Sequence, residues 1–348
     1  MNEPIRILLA FGLAGIPSLI LCRGVIALKI MDAPTEARKI QETPVPSGGG
    51  LGIAAATAMS VFAVWSFTGW PPNEAVLIAS AGGLAAMALG LADDTLHIPA
   101  IARLILMLSI ALAIAAAGVR TEALEFWPGL GVQLPVALGV AGAVLWLIVV
   151  INAVNFMDGA NGLAMGMAAI AAAGLAAAAA FIGAWNIALL AGALSGAIAG
   201  FLVWNVAGEL FVGDTGALGV GVVLGALSLE LVRLRPDLIL LPPILLMPFL
   251  SDVLLTLIWR ARHGKSFFTA HRDHAYQIAM KMELKHWQVA LIHAVWAFNA
   301  AAVGVIAAMI DGRVVTLAFL VLLAISIWVH WWIRRSGVRA GLVGANIP

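Results

Sequence analysis

Long apolar blocks follow one another along nearly the whole chain, each about 18–22 residues, with short polar intervals between them. About 20 residues of α-helix cross the hydrocarbon core of a bilayer, so each block predicts one membrane-spanning helix. About eleven spans are expected, near residues 5–25, 48–68, 74–92, 99–118, 135–152, 162–182, 185–204, 216–232, 238–258, 288–310 and 314–333. The stretches "TGWPPNE" and "DGR" predict tight turns after the second span and before the last. The sixth and seventh spans are rich in Gly and Ala, which predicts close packing, because small side chains let helix backbones approach in lipid. The first block lacks a basic segment ahead of it and is read as the first span, not as a cleaved leader.

Composition sharpens this picture. The chain of 348 residues is 63% hydrophobic and 11% charged, against about 25% charged for a typical soluble domain. No room is left for a sizeable soluble domain, and residues 1–348 are expected to form a single all-α polytopic membrane domain. The one cysteine, Cys22, excludes an internal disulfide. The net charge of +1 hides an asymmetry. Arg38, Lys39, Arg260, Arg262, Lys265, Arg272, Lys281, Lys285, Arg334, Arg335 and Arg339 fall on one set of loops, and Arg6, Arg120, Arg233, Arg235 and Arg313 on the other. Cytoplasmic loops carry the excess of Lys and Arg, so the N-terminus is expected outside and the C-terminus inside, as an odd number of spans requires.

With that topology the unusual polar residues fall on the cytoplasmic side, in the segments 32–50, 93–99 (with Arg103 just beyond), 152–162, 205–216 and 260–286. In "GLADDTLHIPAIARL", Asp93 and Asp94 end the third span. Charge at the bilayer centre costs about 2.5–3.5 kcal/mol, so the pair belongs at the interface. Magnesium commonly takes one or two carboxylates plus substrate phosphates; a solvated helix end is the plainer alternative. In "NAVNFMDGANGL", Asn152, Asn155 and Asp158 or Gly159 share a face if the helix continues; a turn between spans is the alternative. In "GELFVGDTGALGVG", Asp214 is either a third carboxylate beside a phosphate-favouring helix start or a helix cap, and Asn205 is a weaker candidate. The stretch "RARHGKSFFTAHRDHAYQ" brings His263, His271, Arg272 and His274 into a basic loop suited to phosphate. Zinc is a rival there, but without cysteine beside several carboxylates the balance favours magnesium. Gly48, Gly49, Gly50 and Gly52 open the second span, allowing a close backbone approach or tight helix packing.

Taken in order, these motifs resemble the polyprenyl-phosphate N-acetylhexosamine-1-phosphate transferase family, also known as glycosyltransferase family 4, over nearly the whole chain. "LGLADDTLHI" is similar to the family's aspartate-pair motif, "NAVNFMDGANGL" to its Asn-x-x-Asn-x-x-Asp-Gly-x-x-Gly-Leu motif, "FVGDTGALGVG" to its Gly-Asp-x-Gly motif and "HRDHAYQ" to its histidine loop. Gln41, Ser47 and Ala217 stand where many relatives carry His, Arg and Ser. The resemblance implies ten or eleven helices, an N-terminus in the periplasm, a cytoplasmic site and a home in a bacterial inner membrane. It implies transfer of an N-acetyl-sugar 1-phosphate from a UDP-sugar to undecaprenyl phosphate, with UMP released. The histidine loop is more similar to members that initiate O-antigen than to muramoyl-pentapeptide transferases, which are the alternative. The implied cofactor is Mg²⁺, with Mn²⁺ as a substitute. The implied catalytic and metal residues are Asp93, Asp94 and Asp214. Asn152, Asn155, Asp158, Gly159, His271, Arg272 and His274 would bind nucleotide or diphosphate, and Arg103 and Arg38 the lipid phosphate. Membrane lipid and a second copy of the chain complete the expected partners; nucleic acid is not among them. A transporter or flippase is the competing class, but its sites usually lie near the bilayer midplane at repeat interfaces, and no internal repeat is evident.

Overall fold

The computed structural model describes residues 3–28, 31–32, 45–69, 71–96, 98–266 and 272–342. Within them the helices are α1 (Glu3–Leu28), α2 (Gly49–Thr68), α3 (Glu74–Leu96), α4 (Ala100–Ala116), α5 (Val136–Phe156), α6 (Leu163–Phe181), α7 (Trp185–Val206), α8 (Gly213–Leu234), α9 (Leu241–Leu245), α10 (Met247–Arg262), α11 (Ala275–Lys281), α12 (His286–Ile310) and α13 (Gly312–Arg339). Two short hairpins interrupt them: β1 (Met31–Asp32) pairs with β2 (Val45–Pro46), and β3 (Ala123–Glu125) with β4 (Gly131–Gln133). The chain is an all-α polytopic membrane protein.

Every predicted apolar block is helical, but the blocks differ in their capacity to span. Among the described residues, nine helices are long and apolar enough to cross a bilayer, and α4, at 17 residues, is shorter. The ninth block is broken: the pair Pro236–Leu245 and Met247–Arg262 bends by 78° and makes a tenth span only if counted as one. Pro242, Pro243 and Pro248 account for the bend, since each removes a backbone N–H and crowds the preceding turn. The expected tight turn before the last span is present: α12 ends at Ile310, and the Asp311 carboxylate accepts from the Arg313 backbone N–H at 2.7 Å.

The core sits around α6, α7 and α8. Their apolar windows are 67%, 78% and 83% buried, against 22% for α1 and α13. The Gly and Ala content of α6 and α7 has the predicted effect. At Gly196 and Gly200 of α7, an added Cβ would run into the α1 backbone at Phe11 and Gly15. On the other side of the core, α8 packs against α2, α3 and α5. The C-terminal ends of α3, α5 and α7 therefore meet the N-terminal ends of α2, α4, α6 and α8 at one end of the bundle, which holds the polar motifs. The opposite end is closed by contacts such as Thr316 Oγ1 donating to the Phe126 carbonyl at 2.5 Å.

Candidate active site

Backbone contact between helices sets the geometry of the site. At Gly90 of α3, an added Cβ would meet the Asp214 carbonyl and Thr215 nitrogen of α8; at Gly50 of α2, it would meet the Gly216 backbone. Three helix ends are thus drawn together with no side chain between them. Gly213, with φ +72°, turns the chain into α8 in a conformation that favours glycine, and a Cβ there would also strike Ser47 and Asp94. The first N–H groups of α2 are satisfied by the loop ahead of α8, Gly49 N donating to Phe211 O at 2.9 Å and Gly50 N to Val212 O at 3.1 Å.

The two members of the aspartate pair face different ways. Asp93 Oδ2 pairs with the Arg103 guanidinium of α4 at 2.5 Å, and the same nitrogen, Nη1, lies 3.1 Å from Asp214 Oδ2. Asp93 Oδ1 accepts from the Ile98 backbone N–H at 2.9 Å. Asp94 instead caps α8 from outside: it accepts from the backbone N–H groups of Asp214 (3.1 Å) and Thr215 (3.2 Å) and from the Thr215 hydroxyl (2.9 Å). Asp214 lies in the first turn of α8, and its other oxygen accepts from the Asn155 side-chain amide of α5 at 2.8 Å. Asp93 and Asp214 thus converge on one guanidinium, and Asn155 holds the remaining oxygen of Asp214. The Arg103 and Asp214 side chains keep about a fifth of their surface open, at 20% and 19%.

The Asn-rich stretch does not continue as a helix. α5 ends at Phe156, so Asp158 and Gly159 lie in the following turn, and the expected shared face stops at Asn155. The Asn152 amide donates to the Ile148 carbonyl of its own helix at 2.8 Å, whereas Asn155 reaches Asp214. Asn205 is a brace: its carbonyl accepts from Gly162 N at 2.7 Å and its amide donates to Leu210 O at 2.9 Å, tying the turn before α6 to the loop before α8.

The histidine motif joins this end of the bundle through α5. Tyr276 Oη donates to the Phe156 carbonyl at 3.2 Å, and an added Cβ at Gly159 would collide with that hydroxyl. The His274 ring has its centroid 6.1 Å from that of Phe156 and 5.9 Å from that of Tyr276. Its Nδ1 is 3.0 Å from Asp252 Oδ1 of α10, and Asp252 also accepts from the backbone N–H groups of Ala275 and Tyr276, both at 3.0 Å. Below this, Arg260 pairs with Asp273, and Arg334 of α13 donates to Thr256 Oγ1 at 2.9 Å and to the Asp273 carbonyl at 2.6 Å. The Arg334 guanidinium also lies over the Trp259 ring at 4.4 Å. Arg272 is half-buried, and its carbonyl accepts from Lys281 Nζ at 3.2 Å. Arg38 and His271 lie outside the described residues, as do His97 and Gln41.

Sequence reasoning missed Asp252, Thr256 and the burial of Arg260 and Arg334. A signal for Asp252 was present: an ionisable residue inside the apolar run "PFLSDVLLTL" is a candidate functional residue by default. Among the described residues, no group of three His, Cys, Asp or Glu side chains is placed to hold a metal ion. Two carboxylates meeting at one cationic atom are still a donor set that suits magnesium, which takes one or two carboxylates and fills the rest of its shell with water and substrate phosphate.

The fold and these contacts define a class: a multi-pass helical membrane protein with a carboxylate- and arginine-bearing site at one end of its bundle. Residues 76–232 match the family described as glycosyl transferase family 4. The phospho-N-acetylmuramoyl-pentapeptide-transferase of Kocuria rhizophila is 30% identical over 85% of this chain and 92% of its own. The "Probable undecaprenyl-phosphate N-acetylglucosaminyl 1-phosphate transferase" of Bacillus subtilis is 27% identical, covering 83% and 81%. The decaprenyl-phosphate N-acetylglucosaminephosphotransferase of Mycobacterium tuberculosis is 29% identical, covering 76% and 73%. The chain belongs to glycosyl transferase family 4.

Proposed function

We propose that this protein transfers an N-acetylhexosamine 1-phosphate from a UDP-sugar to a polyprenyl phosphate, undecaprenyl phosphate in a bacterial inner membrane, with the site on the cytoplasmic side. The convergence of Asp93 and Asp214 on Arg103, with Asn155 holding the other oxygen of Asp214, supports this reading. The names of two relatives supply the polyprenyl phosphate and the N-acetylglucosamine phosphate group; the uridine diphosphate carrier is part of the proposal. A lipid phosphate oxygen attacks the sugar-bearing phosphorus, the bond to the UMP oxygen breaks, and the sugar C1–O bond stays intact, so anomeric configuration is retained. The second pKa of a phosphate monoester is about 6, so the nucleophile is mostly dianionic at neutral pH and needs no strong base.

Positioning and charge neutralisation are the main requirements of such a transfer. Asp93 and Asp214 would hold Mg²⁺, which offsets the negative charge of the diphosphate. Asp94 supports it indirectly by fixing the start of α8. Arg103 exchanges its carboxylate partners for the lipid phosphate. Asn155 and the His274 motif orient the nucleotide or diphosphate, together with Asp158, Gly159 and Arg272. An open apolar groove between α4 and α5, about 480 Å³ and lined by Leu108, Leu112, Val140, Val144, Leu145 and Ile148, begins just over a turn beyond Arg103 and would take the prenyl chain.

The test is UMP release by purified protein with undecaprenyl phosphate, Mg²⁺ and a panel of UDP-N-acetyl-sugars, with EDTA as the control. Metal-dependent UMP from UDP-N-acetylglucosamine or a 6-deoxy relative supports initiation of a surface glycan of the O-antigen kind. Turnover of UDP-N-acetylmuramoyl-pentapeptide alone would move the protein to peptidoglycan synthesis, the reading favoured by its similarity to the Kocuria rhizophila enzyme. Absence of UMP with every donor from well-folded protein would overturn the transferase reading and leave a transport role.

A further inference from the structure

We infer that Asp252 is a positioning residue for the transfer reaction: it fixes the hydrogen of His274 on Nδ1 and pins the first turn of α11. This rests on the reading above in which His274 serves the transfer site. Asp252 and His274 are both buried, with side chains 4% and 5% exposed. Three N–H vectors close on one carboxylate: His274 Nδ1 and Ala275 N on Oδ1, and Tyr276 N on Oδ2, each at 3.0 Å. A carboxylate in that position only accepts, so Nδ1 must donate. The bond made by one ring nitrogen decides the state of the other.

The same carboxylate that sets the ring also sets its backbone. His274 is the residue just ahead of α11, and its own N–H is met by the Gln277 side chain at 3.3 Å. Asp252 is fixed in turn from α13: Thr256 Oγ1 lies 3.4 Å from Asp252 Oδ1 and 3.3 Å from His330 Nε2, and it accepts from Arg334. The imidazole is therefore located by Asp252, which is braced in turn through Thr256, and it lies tilted to the ring of Phe156, the residue after Asn155, with centroids 6.1 Å apart. Orientation of the histidine is relayed to the place where α5 reaches Asp214.

An asparagine cannot reproduce this arrangement, because its single oxygen serves either the ring and Ala275 or Tyr276, and its NH₂ then faces another donor. The test uses the full chain in detergent with ¹⁵N-labelled histidine, the His274 signal being assigned by its loss in His274→Gln. In the wild type, Nδ1 is expected to carry the protonated-nitrogen shift; a hydrogen found on Nε2 alone would overturn the inference without any Asp252 variant. Asp252→Asn is expected to shift that signal and to lower kcat by about ten- to hundredfold, with KM for UDP-N-acetylglucosamine changed less than about threefold. A double-mutant cycle with His274→Ala separates the two readings. If Asp252 acts through His274, the double variant turns over no more slowly than His274→Ala alone. Fully additive losses would sink the relay while leaving the transferase reading intact. Wild-type-like turnover in His274→Ala would instead remove His274 from the site, and with it the role given to Asp252.

Discussion

The two polar regions at this end of the bundle, where α3 and α5 meet α8 and α10 meets α11, differ in how their charges are satisfied. In the aspartate cluster, Asp93 and Asp214 share one guanidinium nitrogen, and the Arg103 and Asp214 side chains are about a fifth exposed. In the histidine region, Asp252 is 4% exposed and takes three N–H donors, and Arg334 bridges Thr256 and the Asp273 carbonyl from another helix. The first is an arrangement in which an incoming ion can replace one partner with another. The second is dry and over-determined, and removing one member leaves the rest buried without compensation. Exchange and rigidity are thus held in separate places, and variants in the two regions should fail differently.

The sharpest contrast comes from Asp214→Asn. It is nearly isosteric and sits in the exchangeable region, so turnover should fall by on the order of a thousandfold, about 4 kcal/mol, while thermal unfolding in detergent stays close to wild type. Turnover near wild type would remove Asp214 from the metal and the chemistry. Arg334→Ala should show the opposite pattern: a loss of about 3 kcal/mol in stability from breaking a buried charged network, read as a lower unfolding midpoint, with residual activity in the folded fraction at low temperature. Arg103→Gln should lower kcat/KM for polyprenyl phosphate by about ten- to hundredfold, or 1.4–2.7 kcal/mol. It should also tighten Mn²⁺ binding measured by electron paramagnetic resonance, since it frees two carboxylates; weaker Mn²⁺ binding would mean that Arg103 helps to build the ion site. The smallest effect is expected between neighbours one turn apart. Asn155→Ala removes a bond to Asp214 and should cost about tenfold in kcat, whereas Asn152→Ala removes a bond to its own helix and should cost less than about threefold. Equal losses would show that both amides reach substrate.

Much of this was legible in the chain. Each apolar block became helical, the ninth in separate pieces, because in lipid a segment must satisfy its own backbone hydrogen bonds. The aspartates, Asn155 and the "HRDHAYQ" stretch were visible as polar breaks in apolar surroundings. What could not be read was pairing. Nothing in "LADD" says that Asp93 turns to Arg103 while Asp94 turns to the start of α8 over a hundred residues away. Asn205 looked like a site residue and is a brace between two turns. Arg260 and Arg334 were counted as charges that orient the chain, yet both are buried partners. The break in the ninth block was written in Pro242, Pro243 and Pro248, but the 78° between its two halves was not.

The contact of backbones at Gly90 and Gly50 has a consequence for time. Helix ends that touch without intervening side chains have no slack, so Asp93, Asp94 and Asp214 are carried on one stiff joint. Movements of packed helices take microseconds to milliseconds, whereas a partly exposed side chain changes rotamer in picoseconds to nanoseconds. Arg103, on its long stem, can turn away from its carboxylates without any movement of that joint. On the proposed function, passage from the internal ion pairs to a substrate-engaged site would need only the swing of one side chain, which would leave the slow steps to the arrival and departure of the substrates.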